Sequence, residues 1–276
     1  MSILQAIILG IIQGLTEFIP ISSTAHLTVA GTMMGLIGDG NHEQWTAFMA
    51  VIQLGTLAAV LIYFAGDIRT ISTAFLRENL LQRSGYAAQS QNSKLGWMVI
   101  LGSIPIVTIG FALKKIIEGA LTKDLLIISI MLIAVSLVLI IAERMAKRTR
   151  TMDDLTWKDA LAVGMAQVLA LMPGSSRSGT TITAGLFLGM TRETAARFSF
   201  LLSIPAIFGS GVYEFLKTAK YLNADQALTL GVATVVSGIS GYAAIAFLLR
   251  YLRSNSTMIF IVYRILAAIV ILAFLR

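Results

Sequence analysis

The sequence contains no cysteine and few charged residues. Only 13% of its 276 residues are Asp, Glu, Lys or Arg, whereas about 25% is usual for soluble domains. The absence of cysteine excludes disulfide bonds and thiolate metal sites. By contrast, 57% of the residues are hydrophobic and the mean hydropathy is +0.83. Such a chain cannot bury its apolar residues in one water-soluble core, and we predict an integral membrane protein.

Familiar catalytic motifs are also missing. There is no P-loop and no His-x-Glu zinc motif, and the second histidine required by the acid phosphatase signature is not in place. The net charge of +7 comes from basic residues in short loops, which membrane topology explains better than a nucleic-acid partner. No basic residue precedes the first apolar run and no cleavage pattern follows it, so we expect insertion without loss of a signal peptide.

Six apolar stretches have the length of a membrane-spanning helix. They are approximately residues 47–65, 95–113, 125–142, 198–216, 227–249 and 257–275. Each has at least 18 residues, close to the ~20 that cross ~30 Å of hydrocarbon. We therefore predict an all-α integral membrane fold with six transmembrane helices.

Two further apolar segments, 3–36 and 159–190, are too long for one span and are interrupted near the middle. Pro20 and Pro173 mark the interruptions, and serines follow each proline. Proline ends an incoming helix and serine caps an outgoing one. We predict two re-entrant helix-turn-helix segments whose turns are buried in the protein and face each other, because non-helical backbone is not tolerated in lipid.

These two segments resemble each other at a constant offset of 154. The matching pairs are Ala6 and Ala160, Gly10 and Gly164, Gln13 and Gln167, Leu15 and Leu169, Ser22 and Ser176, Gly31 and Gly185, and Gly35 and Gly189. A duplication explains the matches better than chance. We predict one membrane domain, 1–276, with a first repeat over about 1–145 and a second over about 155–276. Three spans and one re-entrant segment per repeat would invert the second copy.

The distribution of basic residues orients this arrangement. Eleven Lys and Arg residues lie in loops 66–94, 143–158 and 250–255, against six on the opposite side. The first side is therefore predicted to be cytoplasmic, with both termini outside.

The first candidate cluster surrounds the break near Pro20. Glu17 is an acid in an apolar segment, and Gln13 shares its helix face. A functional role is the default hypothesis for a carboxylate inside a membrane. The alternative is that the carboxylate pairs with one arginine and contributes to packing alone. Capping accounts for one hydroxyl of the Ser22–Ser23–Thr24 run but not for all three. His26 follows Ser23 by three residues, so it could accept the proton of a neighbouring hydroxyl.

The second candidate cluster is Pro173–Gly179. Its residues Gly174, Ser175, Ser176 and Ser178 suit a helix start that binds an anion through N–H groups and hydroxyls. Arg177 adds a guanidinium that can grip phosphate in bidentate fashion. An alternative role for Arg177 is structural, namely to neutralise the charge of Glu17. This role does not exclude a function in phosphate binding.

Two polar residues inside other apolar stretches are also notable. Gln53 is a candidate lining residue. Arg264, about a third of the way into the last span, requires a partner, which we expect to be Glu214 or a backbone carbonyl group.

At these residues the sequence resembles the undecaprenyl-diphosphate phosphatase family, also called the bacitracin-resistance protein family. The matching motifs are QGLTEFIPISSTAH (13–26) and PGSSRSG (173–179), supported by IQLG (52–55) and FSFLL (198–202). The resemblance implies an inverted-repeat membrane fold and removal of the terminal phosphate from a C55 isoprenyl diphosphate. Glu17, Ser23, His26 and Arg177 match the family's functional positions, whereas Gln13 stands where many members carry Glu. The family uses a divalent cation, so Mg²⁺ or Ca²⁺ is implied.

We therefore expect a polyprenyl diphosphate phosphatase of the bacterial cytoplasmic membrane, with a site open to the periplasm. In the predicted mechanism Ser23 attacks phosphorus, His26 takes its proton, and Glu17 with Gln13 binds the cation. His26 as the nucleophile is an alternative, and so is a lipid flippase without hydrolysis. The glycine-rich stretch 227–249 is compatible with a homodimer.

Overall fold

The computed structural model describes residues 1–38 and 42–275, and the fold of these residues is helical. The α-helices are α1 (Ile3–Phe18), α2 (Ser23–Met33), α3 (His42–Tyr63), α4 (Ala65–Leu76), α5 (Gln91–Ala112), α6 (Lys114–Glu118), α7 (Leu125–Met145), α8 (Trp157–Val168), α9 (Arg177–Phe187), α10 (Arg192–Thr218), α11 (Ala224–Leu252) and α12 (Met258–Phe274). Within the described residues, β-type pairing is limited to an isolated bridge between Arg150 and Met190. The predicted all-α class is confirmed.

Five helices, namely α3, α5, α7, α10 and α11, are long and apolar enough to cross a membrane. They correspond to five of the six predicted spans. The sixth, 257–275, forms the shorter α12 of 17 residues. Only 39% of the most apolar window of α7 is buried inside the protein. The rest of that apolar surface requires a nonpolar solvent, which the hydrocarbon of a bilayer supplies.

The segments 3–36 and 159–190 each contain two short helices separated by a break. Residues 19–22 separate α1 from α2. A 3₁₀ turn (Leu169–Leu171) and residues 172–176 separate α8 from α9. The longest of these four helices, α1, has 16 residues. At 1.5 Å per residue, none of the four reaches across ~30 Å of hydrocarbon.

Part of the segment 66–94, predicted to be a loop, is helical. Ile68 and Ile71 of α4 pack against the main hydrophobic core. Phe75 packs edge-on against Trp97, with ring centroids 5.0 Å apart. These residues of α4 are spaced by three and four positions and share one helix face. The loop prediction was wrong here because a short helix with charges among its apolar residues does not meet the length criterion for a span.

Glycines allow the broken segments to pack closely against long helices. A Cβ on Gly14 of α1 would lie 2.0 Å from Oγ of Ser240 in α11, and a Cβ on Gly164 of α8 would lie 2.2 Å from the carbonyl oxygen of Gly102 in α5. Side chains do not tolerate such distances, so the helices approach this closely because these positions carry none. The first broken segment therefore packs on the second half of the chain, and the second broken segment packs on the first half.

We expect Gly164→Ala to destabilise the fold by roughly 1–3 kcal/mol, because the added methyl group would overlap backbone atoms of Gly102. Gly231→Ala in α11 is a matched control, because a Cβ at position 231 would have no atom of the described residues within 4 Å. Thermal unfolding in detergent should give a lower melting temperature for the first variant alone. Equal melting temperatures for both variants would contradict the close approach of α8 and α5.

Candidate active site

The first break lies next to a buried carboxylate, that of Glu17 in the last turn of α1. Its side chain is 4% exposed. Its Oε2 atom accepts hydrogen bonds from Nε2 of Gln13 at 2.9 Å and from Oγ of Ser23 at 2.8 Å. Its Oε1 atom accepts one from the guanidinium of Arg177 at 2.9 Å. One cation and two neutral donors together stabilise a carboxylate that is removed from water.

The ion pair between Glu17 and Arg177 joins the two breaks. Glu17 precedes the first break and Arg177 begins α9 after the second, 160 positions later in the chain. Both side chains are largely buried, at 4% and 12% exposure. The two turns therefore meet inside the protein, which is the contact expected from the sequence.

The residue that caps each outgoing half-helix has a left-handed backbone conformation. Ser22, the N-cap of α2, has a φ of 76°, and Ser176, the N-cap of α9, has a φ of 69°. Each hydroxyl accepts a hydrogen bond from the backbone N–H three residues later. A left-handed φ at a residue other than glycine costs on the order of 1–3 kcal/mol. Both half-helices thus begin with the same strained turn, at positions related by the repeat offset.

Arg264 of α12 is fully buried and donates hydrogen bonds to backbone carbonyl groups of both breaks. In the first break it donates to Pro20 at 3.1 Å. In the second it donates to Gly174 at 3.2 Å and to Ser175 at 3.1 Å. An interrupted helix leaves such carbonyl groups without intrahelical donors, which is why they attract the guanidinium. The expectation of a carbonyl partner is confirmed, and the alternative partner Glu214 was wrong.

His26 does not contact the hydroxyl of Ser23 as the sequence suggested. Its Nδ1 atom lies 2.7 Å from the carbonyl oxygen of Ser22, and its Nε2 atom lies 2.7 Å from the hydroxyl of Tyr263. The imidazole also stacks on the Tyr263 ring, with centroids 5.5 Å apart. In α2 the side chain points back towards the N-terminus, so the ring reaches the carbonyl four residues earlier. Ser23 donates to Glu17 instead.

The Glu17–Arg177 pair lies in the wall of a cavity of about 490 Å³. The sequence-predicted residues that line this cavity are Gln13, Glu17, Ser22, Ser23, Thr24, Gln53, Ser176 and Arg177. Much of the remaining wall is apolar and comes from α5 and α10, with Val107, Phe111 and Ile207 among its residues. The cavity therefore combines a polar end with a hydrophobic wall.

Three predicted phosphate-binding residues do not line the cavity. Gly174 has a φ of 87°, and a Cβ on it would lie 2.3 Å from the carbonyl oxygen of Ile128. The hydroxyl of Ser175 bonds to carbonyl groups of its own turn, and that of Ser178 donates to the carbonyl of Ile19 at 3.3 Å. In the structure these residues close the second break and pack it against its neighbours, and their role in phosphate binding stays a prediction. In a glycine- and serine-rich turn, residue type alone does not separate the two roles.

The cavity is also lined by part of a charged cluster from α6 and α10, through Lys114, Glu118 and Glu214. Lys114 donates a hydrogen bond to the hydroxyl of Tyr213 and pairs with Glu118 at 3.7 Å. Lys217 pairs with Glu118 at 3.4 Å. The neighbouring Glu214 is buried, and its Oε2 atom has no hydrogen-bond partner among residues 1–38 and 42–275. The cavity therefore extends from the two breaks to charged residues of α6 and α10.

Glu17 and Gln13 offer oxygen ligands for a cation. Nε2 of Gln13 contacts the carboxylate, whereas its Oε1 atom is buried and lacks a hydrogen-bond partner in the described part of the chain. No cluster of three or more His, Cys, Asp or Glu residues occurs in that part. A cation here would receive one carboxylate and one amide oxygen from the protein, and its other ligands from a bound anion and water. Mg²⁺ is commonly held in this way, with substrate phosphates completing its shell.

Sequence reasoning missed two residues of this region, Gln167 and Tyr263. Gln167 lines the cavity, and its match to Gln13 at the repeat offset was a signal that could have identified it. Tyr263 binds His26, which is 237 positions away in the chain. No local pattern in α12 indicates that contact.

Comparison with known proteins finds similarity to one family along nearly the whole chain. The sequence profile of the family described as bacitracin resistance protein BacA matches residues 6–270. A relative from Syntrophobacter fumaroxidans, named undecaprenyl-diphosphatase, is 58% identical over 96% of this chain and 94% of its own length. Proteins of the same name from Chloroherpeton thalassium and Myxococcus xanthus are 54% and 47% identical over 100% of this chain, and over 97% and 90% of their own lengths.

Arg264→Met should strongly destabilise the protein. Each carbonyl group that loses its donor costs about 1–3 kcal/mol, and the guanidinium binds three such groups in the two breaks. Arg250→Met, at an exposed position near the end of α11, is the control for loss of an arginine. Thermal unfolding in detergent measures both. An unchanged melting temperature for Arg264→Met would show that the breaks do not depend on this side chain.

Proposed function

The chain belongs to the bacitracin resistance protein BacA family, and from this membership we propose that it hydrolyses undecaprenyl diphosphate to undecaprenyl phosphate and phosphate. The reaction recycles the lipid carrier of cell-wall synthesis and confers bacitracin resistance. The supporting observation is a serine hydroxyl and an arginine guanidinium that bind one buried carboxylate where two half-helices begin. The arrangement supports the proposal, because the proposed nucleophile and the proposed phosphate-binding cation lie together at the polar end of a cavity with a hydrophobic wall.

The protein is a multi-pass membrane protein, and we propose six transmembrane helices and two re-entrant segments related as inverted repeats. The repeat offset of 154 supports this arrangement, and so does the reciprocal packing of α1 on α11 and of α8 on α5. Broken helices at a repeat interface bring a polar site to the middle of a membrane. The proposed location is the bacterial cytoplasmic membrane.

The proposed site opens to the periplasmic side. Lys114 and Lys217 line or adjoin the cavity and belong to the side with six basic residues, against eleven on the other side. Cytoplasmic loops carry the excess of Lys and Arg in membrane proteins. A diphosphate head group would thus reach Arg177 from the outer leaflet, with its isoprenyl chain against the apolar walls of α5 and α10.

The head group would be held by charge and by helix ends. The N-terminal ends of α2 and α9 both border the cavity through Ser22, Ser23, Ser176 and Arg177. A helix N-terminus carries a partial positive charge and free N–H groups, which suits an anion. The guanidinium of Arg177 adds a full charge and fork geometry.

Ser23 is the proposed nucleophile. Its oxygen would form a bond to the terminal phosphorus while the bond between that phosphorus and the bridging oxygen breaks, so that undecaprenyl phosphate leaves. Glu17 accepts the hydrogen bond of this hydroxyl at 2.8 Å and is placed to take its proton. Water would then hydrolyse the phosphoserine and release phosphate. His26 instead holds the carbonyl of Ser22 and so orients the start of α2.

A divalent cation would offset the charge of the diphosphate when bound. Glu17 and the free Oε1 atom of Gln13 are the protein ligands that we propose for it. Glutamine at position 13 leaves the protein with a single carboxylate for the cation. The cation should therefore bind more tightly to the protein with bound substrate than to the protein alone.

The direct test is phosphate release from undecaprenyl diphosphate by the purified protein in detergent. We expect release in the presence of Mg²⁺ or Ca²⁺, its loss with EDTA, and recovery when the cation is restored. If a preparation shows a thermal unfolding transition, and is therefore folded, but releases no phosphate, the proposed hydrolysis is refuted. Release that is insensitive to EDTA would refute the cation requirement alone.

Variants of Ser23 and His26 separate the two possible nucleophiles. Ser23→Ala should lower kcat by more than about 10³-fold, because no covalent intermediate can form. His26→Gln should keep more activity, since an amide can still bond to both Ser22 and Tyr263. Radiolabelled terminal phosphate, trapped by a denaturing quench at neutral pH at which phosphoserine and phosphohistidine both survive, should map to Ser23. A label on His26, or an active Ser23→Ala protein, would reverse the assignment.

A further inference from the structure

The two halves of the chain carry a glutamine at equivalent positions but surround it differently. Gln13 and Gln167 are related by the offset of 154. In the first half, Nε2 of Gln13 donates to Glu17, which lies one turn later in α1. In the second half, the position that corresponds to Glu17 is occupied by Leu171. The acceptor that engages the first amide is therefore missing beside the second.

Gln167 is consequently an unpartnered amide in the cavity. It is 0% exposed, and neither its Nε2 nor its Oε1 atom has a hydrogen-bond partner within the described ranges 1–38 and 42–275. It nevertheless contributes to the cavity wall together with Glu17, Ser176 and Arg177. An amide that loses its hydrogen bonds to water and gains none costs about 1–3 kcal/mol. Such a group is expected to bind something that enters the cavity.

We propose that Gln167 binds a phosphoryl oxygen of the substrate through its side-chain amide, an inference that rests on the proposed hydrolysis of a lipid diphosphate. Its two N–H donors suit the oxygen atoms of a phosphate group, and its carbonyl oxygen can accept the proton of a monoprotonated phosphate. Arg177 and the N-terminus of α9 in the same wall attract the same anion. The second half of the chain thus supplies a guanidinium and an amide, while the first half supplies the nucleophile.

A phosphate ligand fits the surroundings better than a cation does. The equivalent of Gln13 has no carboxylate beside it, because position 171 is leucine, and a neutral amide alone is a weak ligand for a divalent ion. Among the described residues of the second broken segment, Arg177 is the charged one that lines the cavity. The charge that this segment contributes to the cavity wall therefore favours an anion as the ligand of Gln167.

Substitutions of Gln167 should have opposite effects on stability and on binding. Gln167→Met keeps the length of the side chain and removes its polar atoms, so the melting temperature should stay equal or rise. The KM for undecaprenyl diphosphate, and the inhibition constant of inorganic phosphate as a product, should each increase by roughly tenfold or more, as expected for loss of a hydrogen bond to a charged group. Gln167→Glu should increase both constants further, because a carboxylate repels the anion.

Thr28→Val is the matched control. The hydroxyl of Thr28 is also buried, and it is without a partner in the part of the chain that the structure describes, but Thr28 does not line the cavity. Its removal should leave the melting temperature equal or higher and both constants unchanged. Equal constants for wild type and both Gln167 variants would overturn the proposal, and so would an equal increase in Thr28→Val.

Phosphate-dependent stabilisation distinguishes this inference from the proposed function. Inorganic phosphate should raise the melting temperature of the wild-type protein and should raise that of Gln167→Met less at the same concentration. If the wild type releases no phosphate from the lipid but shows this difference, the proposed reaction fails while phosphate binding by Gln167 stands. If phosphate stabilises both proteins equally, or neither, the assignment of Gln167 is wrong.

Discussion

The structure depends on one buried guanidinium that supplies hydrogen bonds to two interrupted helices. Backbone groups without donors are not tolerated at membrane depth, so a break is possible only where the protein satisfies it. Arg264 binds the carbonyl of Pro20 in one break and those of Gly174 and Ser175 in the other. Because a single rigid group makes these bonds, the two turns are held at a defined distance. The Glu17–Arg177 ion pair joins the same two breaks.

The candidate site combines residues 154 positions apart in the sequence that carry different chemistry. Ser23 and Arg177 are related by the repeat offset, and each begins a half-helix after a left-handed serine. The backbone of both halves therefore presents a helix N-terminus to the cavity, where it attracts an anion. The side chains of the two halves differ. The first half carries the hydroxyl of Ser23 and the carboxylate of Glu17, and the second half carries the guanidinium of Arg177. Leucine at position 171 leaves the amide of Gln167 available.

Hydropathy and proline predicted much of the fold, because the length of an apolar run and the position of a proline are local properties. Five predicted spans and both helix breaks correspond to elements of the structure. The amphipathic α4 escaped that reasoning, since its stability comes from the packing of Ile68 and Ile71 on the core and not from apolar length. His26 was expected to reach the hydroxyl of a neighbour such as Ser23, but its partners are the carbonyl group of Ser22 and the hydroxyl of Tyr263.

The sequence by itself determined the membrane class, the two interruptions and the types of reactive group, because composition, apolar length and the order of residues express these directly. Tertiary structure alone decided which groups meet. The pairs Glu17 with Arg177 and His26 with Tyr263 are 160 and 237 positions apart. Such contacts arise from the close packing of helices in three dimensions, where the geometry of many distant residues combines.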